Sequence, residues 1–250
     1  MEIERKRFQG VLNILNFNRQ FYYFGVSALL VCLYIAYLSN LSSIFSILLI
    51  AVFSYGLLMP LVVSAYVYDF SDYYSLKWLD QLIENKSTPI HAVNINAGFD
   101  ETSYIIKDKL KTVELQVYDF YDENLHTEAA IVRARKVSQV YPSTKTIETN
   151  SIPEKDSSVD IIFLLSSAHE IRNIEERKQF FKECYRICKP NGKVIMVEHL
   201  RDLPNFFAFT VGFNHFFSRR VWKNAFVSAG FTRLHERKFT PFMSIFEIMP

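Results

Sequence analysis

Between Arg19 and Asp69 the chain has no Lys, Arg, Asp, Glu or His. A water-facing helix carries a polar face opposite its apolar stripe, so a run this long without charge does not suit the surface of an ordinary soluble domain. The run divides at Ser39-Asn40-Leu41-Ser42-Ser43. On either side, residues 21–38 and 44–66 approach the ~20 residues that a helix rising ~1.5 Å per residue needs to cross ~30 Å of hydrocarbon. Gly56 and Pro60 fall in the second segment, where neighbouring groups in a bilayer span re-satisfy a broken backbone bond. A cleaved signal is not expected: the charged leader and the apolar stretch are both too long, and no small-x-small site follows. Residues 1–70 are therefore expected to form a two-helix transmembrane hairpin. The competing arrangement, a buried hairpin in a soluble all-α subdomain, leaves the missing charged face unexplained.

Basic residues set the orientation. Arg5, Lys6, Arg7 and Arg19 precede the first span, Lys77 follows the second, and the connecting loop has none, which predicts that both termini and everything after residue 70 lie in the cytoplasm. Tyr22, Tyr23, Tyr66, Tyr68, Tyr73, Tyr74 and Trp78 would form an aromatic belt at that interface. A formal net charge of +2 gives no footing for nucleic acid. The three cysteines offer no disulfide framework, and Cys184 and Cys188 lack the partners of a zinc site, so no metal is expected and reduced core thiols are.

Past residue 70 the pattern changes. A juxtamembrane helix and linker is expected over 71–89, with Leu76, Leu79, Leu82 and Ile83 at helical spacing in 72–85 and a break at Ser87-Thr88-Pro89. Then strands at 90–96, 113–119, 144–148, 159–165 and 193–198 alternate with helices near 102–110, 128–140, 174–188 and 218–229. The segments 231–239 and 243–248 close the chain as a hairpin. This is the pattern of an α/β domain over 90–250, with a mostly parallel sheet covered on both faces.

The second half of that domain resembles the class I S-adenosylmethionine-dependent methyltransferases, whose fold is a Rossmann-like, mostly parallel seven-stranded sheet with a terminal β-hairpin. The resemblance rests on Pro153-Glu154-Lys155-Asp156-Ser157-Ser158-Val159-Asp160 entering a strand, Lys189-Pro190-Asn191-Gly192 turning from helix to strand, and the Ala229-Gly230-Phe231 junction. It implies S-adenosylmethionine as cofactor. The family's glycine-rich loop aligns with Asn94-Ile95-Asn96-Ala97-Gly98-Phe99-Asp100, which keeps one glycine of three. Close backbone approach to the cofactor is lost at the other two. The same loop fails the dinucleotide fingerprint. Asn96, Gly98, Asp100 and Ser166 are candidate cofactor contacts, and Asp100 and Glu101 either receive the cofactor's ammonium group or are simply solvated. By the resemblance Asp119 accepts the ribose hydroxyls (with Asp122 its near competitor) and Glu148 lies near the adenine amino group.

In this topology the acceptor lies beyond the C-terminal strand ends, where His169-Glu170-Ile171-Arg172 and Glu198-His199-Leu200-Arg201-Asp202 fall. His169 and His199 are the candidate bases, and Glu170, Glu198 and Arg201 the groups that would orient them or the acceptor. Six phenylalanines fall between Phe206 and Phe217, and Asn205, Phe209, Phe213 and His215 are candidate acceptor contacts. Such a segment forms an apolar pocket, an interfacial lid or a buried helix. With the anchor, it points to a lipophilic acceptor such as a lipid, quinone or long-chain phenolic, with the bilayer itself as partner. The alternatives are a tethered, non-catalytic descendant of the fold and a lipid-interacting scaffold without cofactor.

Overall fold

The computed structural model describes residues 5–83 and 89–250. A short helix α1 (Gln9–Phe17) leads into α2 (Arg19–Leu38), and α3 (Ser43–Ser64) returns antiparallel to it before running into a π-helical stretch, Ala65–Phe70. Both long helices are long and apolar enough to cross a membrane. They do not bury that surface: Leu30, Ile44 and Val52 are 62%, 70% and 68% exposed, which excludes the hairpin as a soluble core. The two helices meet closely at Gly25, where an added Cβ would stand 2.6 Å from Leu57 Cδ2.

The sheet has seven strands in the order β3-β2-β1-β4-β5-β7-β6. Strands β1 (Ile90–Asn96), β2 (Val113–Asp119), β3 (Lys145–Thr146), β4 (Val159–Leu165) and β5 (Cys188–His199) run parallel. Strands β6 (Arg233–Lys238) and β7 (Met243–Met249) form the terminal hairpin, with β7 antiparallel to β5. The helices between them are α4 (Ser103–Lys109), α5 (Ala129–Arg135), α6 (Ile174–Ile187), α7 (Leu203–Phe209) and α8 (Arg219–Ala229). Strands β1 and β4 are buried on both faces, which is why they read as continuous apolar runs.

One face packs Phe180 and Phe181 of α6 and Trp222 and Phe226 of α8 on Val93, Ile162 and Val194. The other face packs Ala92, Phe163 and Val197 under Ile106, Leu110 and the segment carrying Trp78, Leu79 and Leu82. That segment is not the helix expected over 72–85. Asp72 and Leu76 adopt left-handed φ of 63° and 49°, and only Lys77–Gln81 is a 3-10 turn, because the segment must bend to cover the sheet. Residues 84–85 of that expected helix, and Ser87 and Thr88 of its break, lie outside the described residues.

Edge strand β3 is shorter than 144–148, since both its residues are exposed and little burial extends it. Strand β5 starts five residues earlier than expected, at Cys188, because Lys189-Pro190-Asn191-Gly192 stays within it. Gly192 is required there: a Cβ would sit 2.9 Å from the carbonyl oxygens of Val159 and Asp160. Cys184 and Cys188 are free thiols in the core, the first raised well above the usual thiol range by burial and the second to about 12 by burial beside Asp160.

Candidate active site

Parallel strands deliver their following loops to one edge, the crevice where open α/β sheets hold ligands. Beyond the ends of β1, β4 and β5 lies a cavity of about 750 Å³. Its sheet side presents Asn96, Ser166, His169, Glu170, Glu198 and His199, and Phe209, His215 and Phe216 flank them. The opposite wall comes from the N-terminal helices: Asn13 and Phe17 of α1, Phe21 of α2, and Gly56, Leu57 and Pro60 of α3. The cavity is therefore continuous with the exposed apolar hairpin.

His169 sits in a cage of carboxylates. Its Nδ1–H donates to Glu198 Oε2 at 2.8 Å, and its backbone N–H donates to Glu198 Oε1 at 3.2 Å. Nε2 stands 3.4 Å from Glu170 Oε1. Burial alone lowers the imidazole pKa, but Glu198 and Glu170 reverse that and hold it up at about 10. With no other ion present, this ring is a cation at neutral pH and not a resting base. Burial raises Glu170, while the hydrogen bond and charge of His169 pull it below the usual carboxylate range.

His199 is its opposite. Burial lowers it to about 4, so the ring is neutral. The Nδ1–H points at the carbonyl oxygen of Phe242, 3.0 Å away, and at Asn205 Oδ1, 3.2 Å away. That leaves Nε2 as an acceptor, and it takes the Tyr68 hydroxyl at 2.9 Å. Tyr68 also lines the cavity. It is fixed from behind by α1, whose Gly10 and Val11 N–H groups donate to Asp69 at 2.8 and 3.0 Å.

At the β1 turn, Gly98 has φ 86°, its N–H donates to Asn96 Oδ1 at 2.9 Å, and Asp100 Oδ1 accepts from the N–H groups of Thr102 and Ser103 at 3.0 and 2.9 Å. Asn96 Nδ2 and Asp100 Oδ2 are buried, with no partner among the described residues. Ser166, at the end of β4, has φ 53°, the left-handed region that a non-glycine enters at a cost, and its hydroxyl pairs with that of Tyr73 at 3.0 Å. Arg135 closes the far side. Its Nη1 donates to Asp119 Oδ2 at 2.8 Å, its guanidinium lies 4.1 Å over Tyr121, and its side chain fills the space above Gly98.

Residues 109–196 match the family model described as a methyltransferase domain. Over those residues the chain carries the sequence pattern of a methyltransferase domain. Its strand order, with antiparallel β7 inserted between β5 and β6, is the class I fold. The domain resembles a SAM-dependent methyltransferase from Aquifex aeolicus at 14% identity and TM-score 0.50, over 74% of this chain and 92% of that one. A putative O-methyltransferase from Nostoc punctiforme is similar at 13% identity and TM-score 0.53, over 78% of this chain and 60% of that one. The CMeT domain of a citrinin polyketide synthase is similar at 19% identity and TM-score 0.50, over 76% of this chain and 55% of that one. Curated proteins gave no sequence match.

Class I methyltransferases use S-adenosylmethionine, and the residues of this methyltransferase domain fit it. Two buried polar atoms without a partner among the described residues, on Asn96 and Asp100, flank a glycine turn whose face is covered by the side chain of Arg135. Asp119 ends β2 with its carboxylate engaged by Arg135.

The expected site residues divide into two groups. His169, Glu170, Glu198, His199, Asn96, Ser166, Phe209 and His215 line one cavity. The others do not. Asn205 is buried behind His199 and donates to Asp202 Oδ1 and the Phe242 carbonyl at 2.8 and 2.9 Å, so it positions the imidazole. Arg201 points outward and donates to the carbonyl of Asn214, bracing the loop. Phe213 packs on Phe206. Gly98 and Asp119 lie behind Arg135, Asp100 caps α4, and Glu148 is exposed on a loop because β3 ends two residues before it. Tyr68, Glu128 and Arg135 were not foreseen. Tyr68 reads as one more belt tyrosine, whereas the other two sit in a helix region whose facing partners lie elsewhere in the chain.

Proposed function

We propose that this protein is an integral membrane methyltransferase, anchored through residues 1–70, with its 90–250 domain on the cytoplasmic face. It transfers the methyl group of S-adenosylmethionine to a hydroxyl on a lipophilic acceptor: a lipid, quinone or long-chain phenolic. The observation that carries this reading is the shared cavity, whose polar wall is His169, Glu170, Glu198 and His199 and whose apolar wall is Phe21, Leu57 and Pro60 of the hairpin. An acceptor with a long apolar tail reaches such a cavity from the bilayer without crossing water.

The second apolar element agrees with this. Helix α7 packs beside α3, with the Tyr55 hydroxyl donating to the Phe207 carbonyl at 2.8 Å, while Leu203, Phe206 and Phe207 stay exposed. An exposed aromatic face beside two spans suits the lipid–water interface.

Asn96, Asp100, Asp119 and Ser166 would hold the cofactor, which supplies an electrophilic methyl group. The chain's own residues align the acceptor and remove its proton. Alignment contributes up to ~7–11 kcal/mol in favourable cases. Tyr68 and His199 form the proton route: the acceptor hydroxyl gives its proton to Tyr68 Oη as Tyr68 passes its own to His199 Nε2. A neutral His199 is ready for this at any physiological pH, and a positioned base is worth roughly 10²–10⁴-fold. His169 would instead help to orient the acceptor oxygen.

Arg135 favours a second reading, a tethered binding protein without catalysis, because its guanidinium covers the ribose acid. Titrating S-adenosylmethionine into detergent-solubilised protein separates the two. Binding weakened by Asp119→Ala supports the enzyme; no binding at millimolar cofactor contradicts it.

A further inference from the structure

We propose that His169, Glu170 and His215 bind a divalent first-row transition ion of the zinc class at the wall of the cavity. One donor atom from each of the three lies within 4.8 Å of the others. Donors around one ion at ~2.0–2.2 Å stand roughly 3–4 Å apart, so a small closure of the Thr210–His215 turn completes the set.

The surroundings are arranged as they are around metal-bound histidines. Glu198 accepts the Nδ1–H of His169 at 2.8 Å and its backbone N–H at 3.2 Å, which fixes the tautomer and presents Nε2 to Glu170. A carboxylate behind a ligating imidazole is the usual outer partner. Arg172 Nη1 donates to the carbonyl oxygens of His169 at 3.1 Å and His215 at 2.7 Å, so one side chain ties together the two loops that bring the rings. His215 Nδ1 lies 3.1 Å from Glu128 Oε2, so the second ring has a carboxylate partner of its own.

Charge makes the same case. Three carboxylates, Glu128, Glu170 and Glu198, surround the two rings, and Arg172, 3.7 Å from Glu128, is the fixed cation in contact with them. With neutral imidazoles this leaves an excess of two negative charges, the charge of one dication. The two rings meet edge to face with centroids 5.0 Å apart. Two imidazoles with carboxylates suit Zn²⁺, Co²⁺ or Fe²⁺ more than the all-oxygen preference of Mg²⁺ or Ca²⁺. This departs from the sequence-based expectation of no metal, which had only the cysteines to judge by. The role of the ion rests on the function proposed above: its open positions face the cavity, where it would bind the acceptor oxygen and lower the hydroxyl pKa.

Cobalt tests the site without any turnover. Tag-free, chelator-treated protein in detergent is titrated with Co²⁺ and followed by visible absorption, then challenged with Zn²⁺. One equivalent giving a d–d band that Zn²⁺ abolishes is expected, with affinity at least about tenfold weaker in both His215→Ala and Glu170→Gln. No band in the wild-type protein overturns the proposal, as does an unchanged band in both variants or a thiolate charge-transfer band assigning the ion to cysteine. Cofactor binding measured on the same samples reports folding, and its loss in wild type would sink the methyltransferase reading while leaving the metal site standing.

Discussion

Arg135 Nη1 lies 2.8 Å from Asp119 Oδ2, so the acid expected to accept the ribose hydroxyls is already held by a guanidinium. The pair is partly exposed, and such pairs contribute ~0–1 kcal/mol. Arg135 is therefore a light cover that the cofactor can displace. Arg135→Ala should tighten S-adenosylmethionine binding by roughly two- to fivefold in a calorimetric titration. Asp119→Ala should weaken it by about tenfold or more. Weaker binding in Arg135→Ala would mean that the guanidinium is part of the site and not a competitor.

Tyr68 and His199 are predicted to act in the chemical step and not in cofactor binding. Tyr68→Phe should lower kcat by roughly 10²-fold with the cofactor Kd unchanged. Gly10→Ala tests the same route from a distance, since the new methyl would clash with Tyr68 Cβ and push the ring off His199. Single-turnover methyl transfer in the two variants should fall together.

The neutral, buried His199 makes stability pH-dependent with a definite sign. Its pKa is about 4 in the folded state against an ordinary 6.5. The unfolded chain thus takes up a proton first as pH falls, and the contribution is fully present above pH 6.5 and lost progressively towards pH 4. The loss is on the order of 3 kcal/mol. Thermal melts from pH 7 to 4.5 should show His199→Gln losing less of its own stability across this window than wild type does.

Membrane orientation is open to direct labelling. In a Cys32→Ala background, a cysteine placed at Ser39 in the α2–α3 turn should react with a membrane-impermeant maleimide added outside intact cells. A cysteine at Lys77 should react only after lysis. The reverse pattern would move the cavity to the other side of the membrane.

The regular core of the fold was legible in the sequence. Strands β1 and β4 fall where their apolar runs place them, because a strand buried on both faces must be apolar throughout. Helix α1 was not legible: Gln9–Phe17 reads as a leader, and its value lies in the cavity wall it forms with α3. In the site, His169, Glu170, Glu198 and His199 stood out as polar residues at the ends of apolar strands. Their division of labour did not. Whether an imidazole is a cation or a neutral acceptor depends on partners such as Glu198, Asn205 and Tyr68, and Tyr68 is 131 residues away from His199 in the chain. Arg135 was hidden for the same reason, since its meaning comes from Asp119 and Gly98 across the crevice.

The central claim is that methyl groups pass from S-adenosylmethionine to an apolar molecule through the cavity shared by strand ends and hairpin. It is tested most directly by incubating the protein in nanodiscs made from its host's membrane lipids with methyl-tritiated S-adenosylmethionine and counting the organic extract. The account predicts label in the organic phase that is lost with Tyr68→Phe and with Asp119→Ala. Cofactor binding with no organic-phase label, or label indifferent to both substitutions, would contradict it.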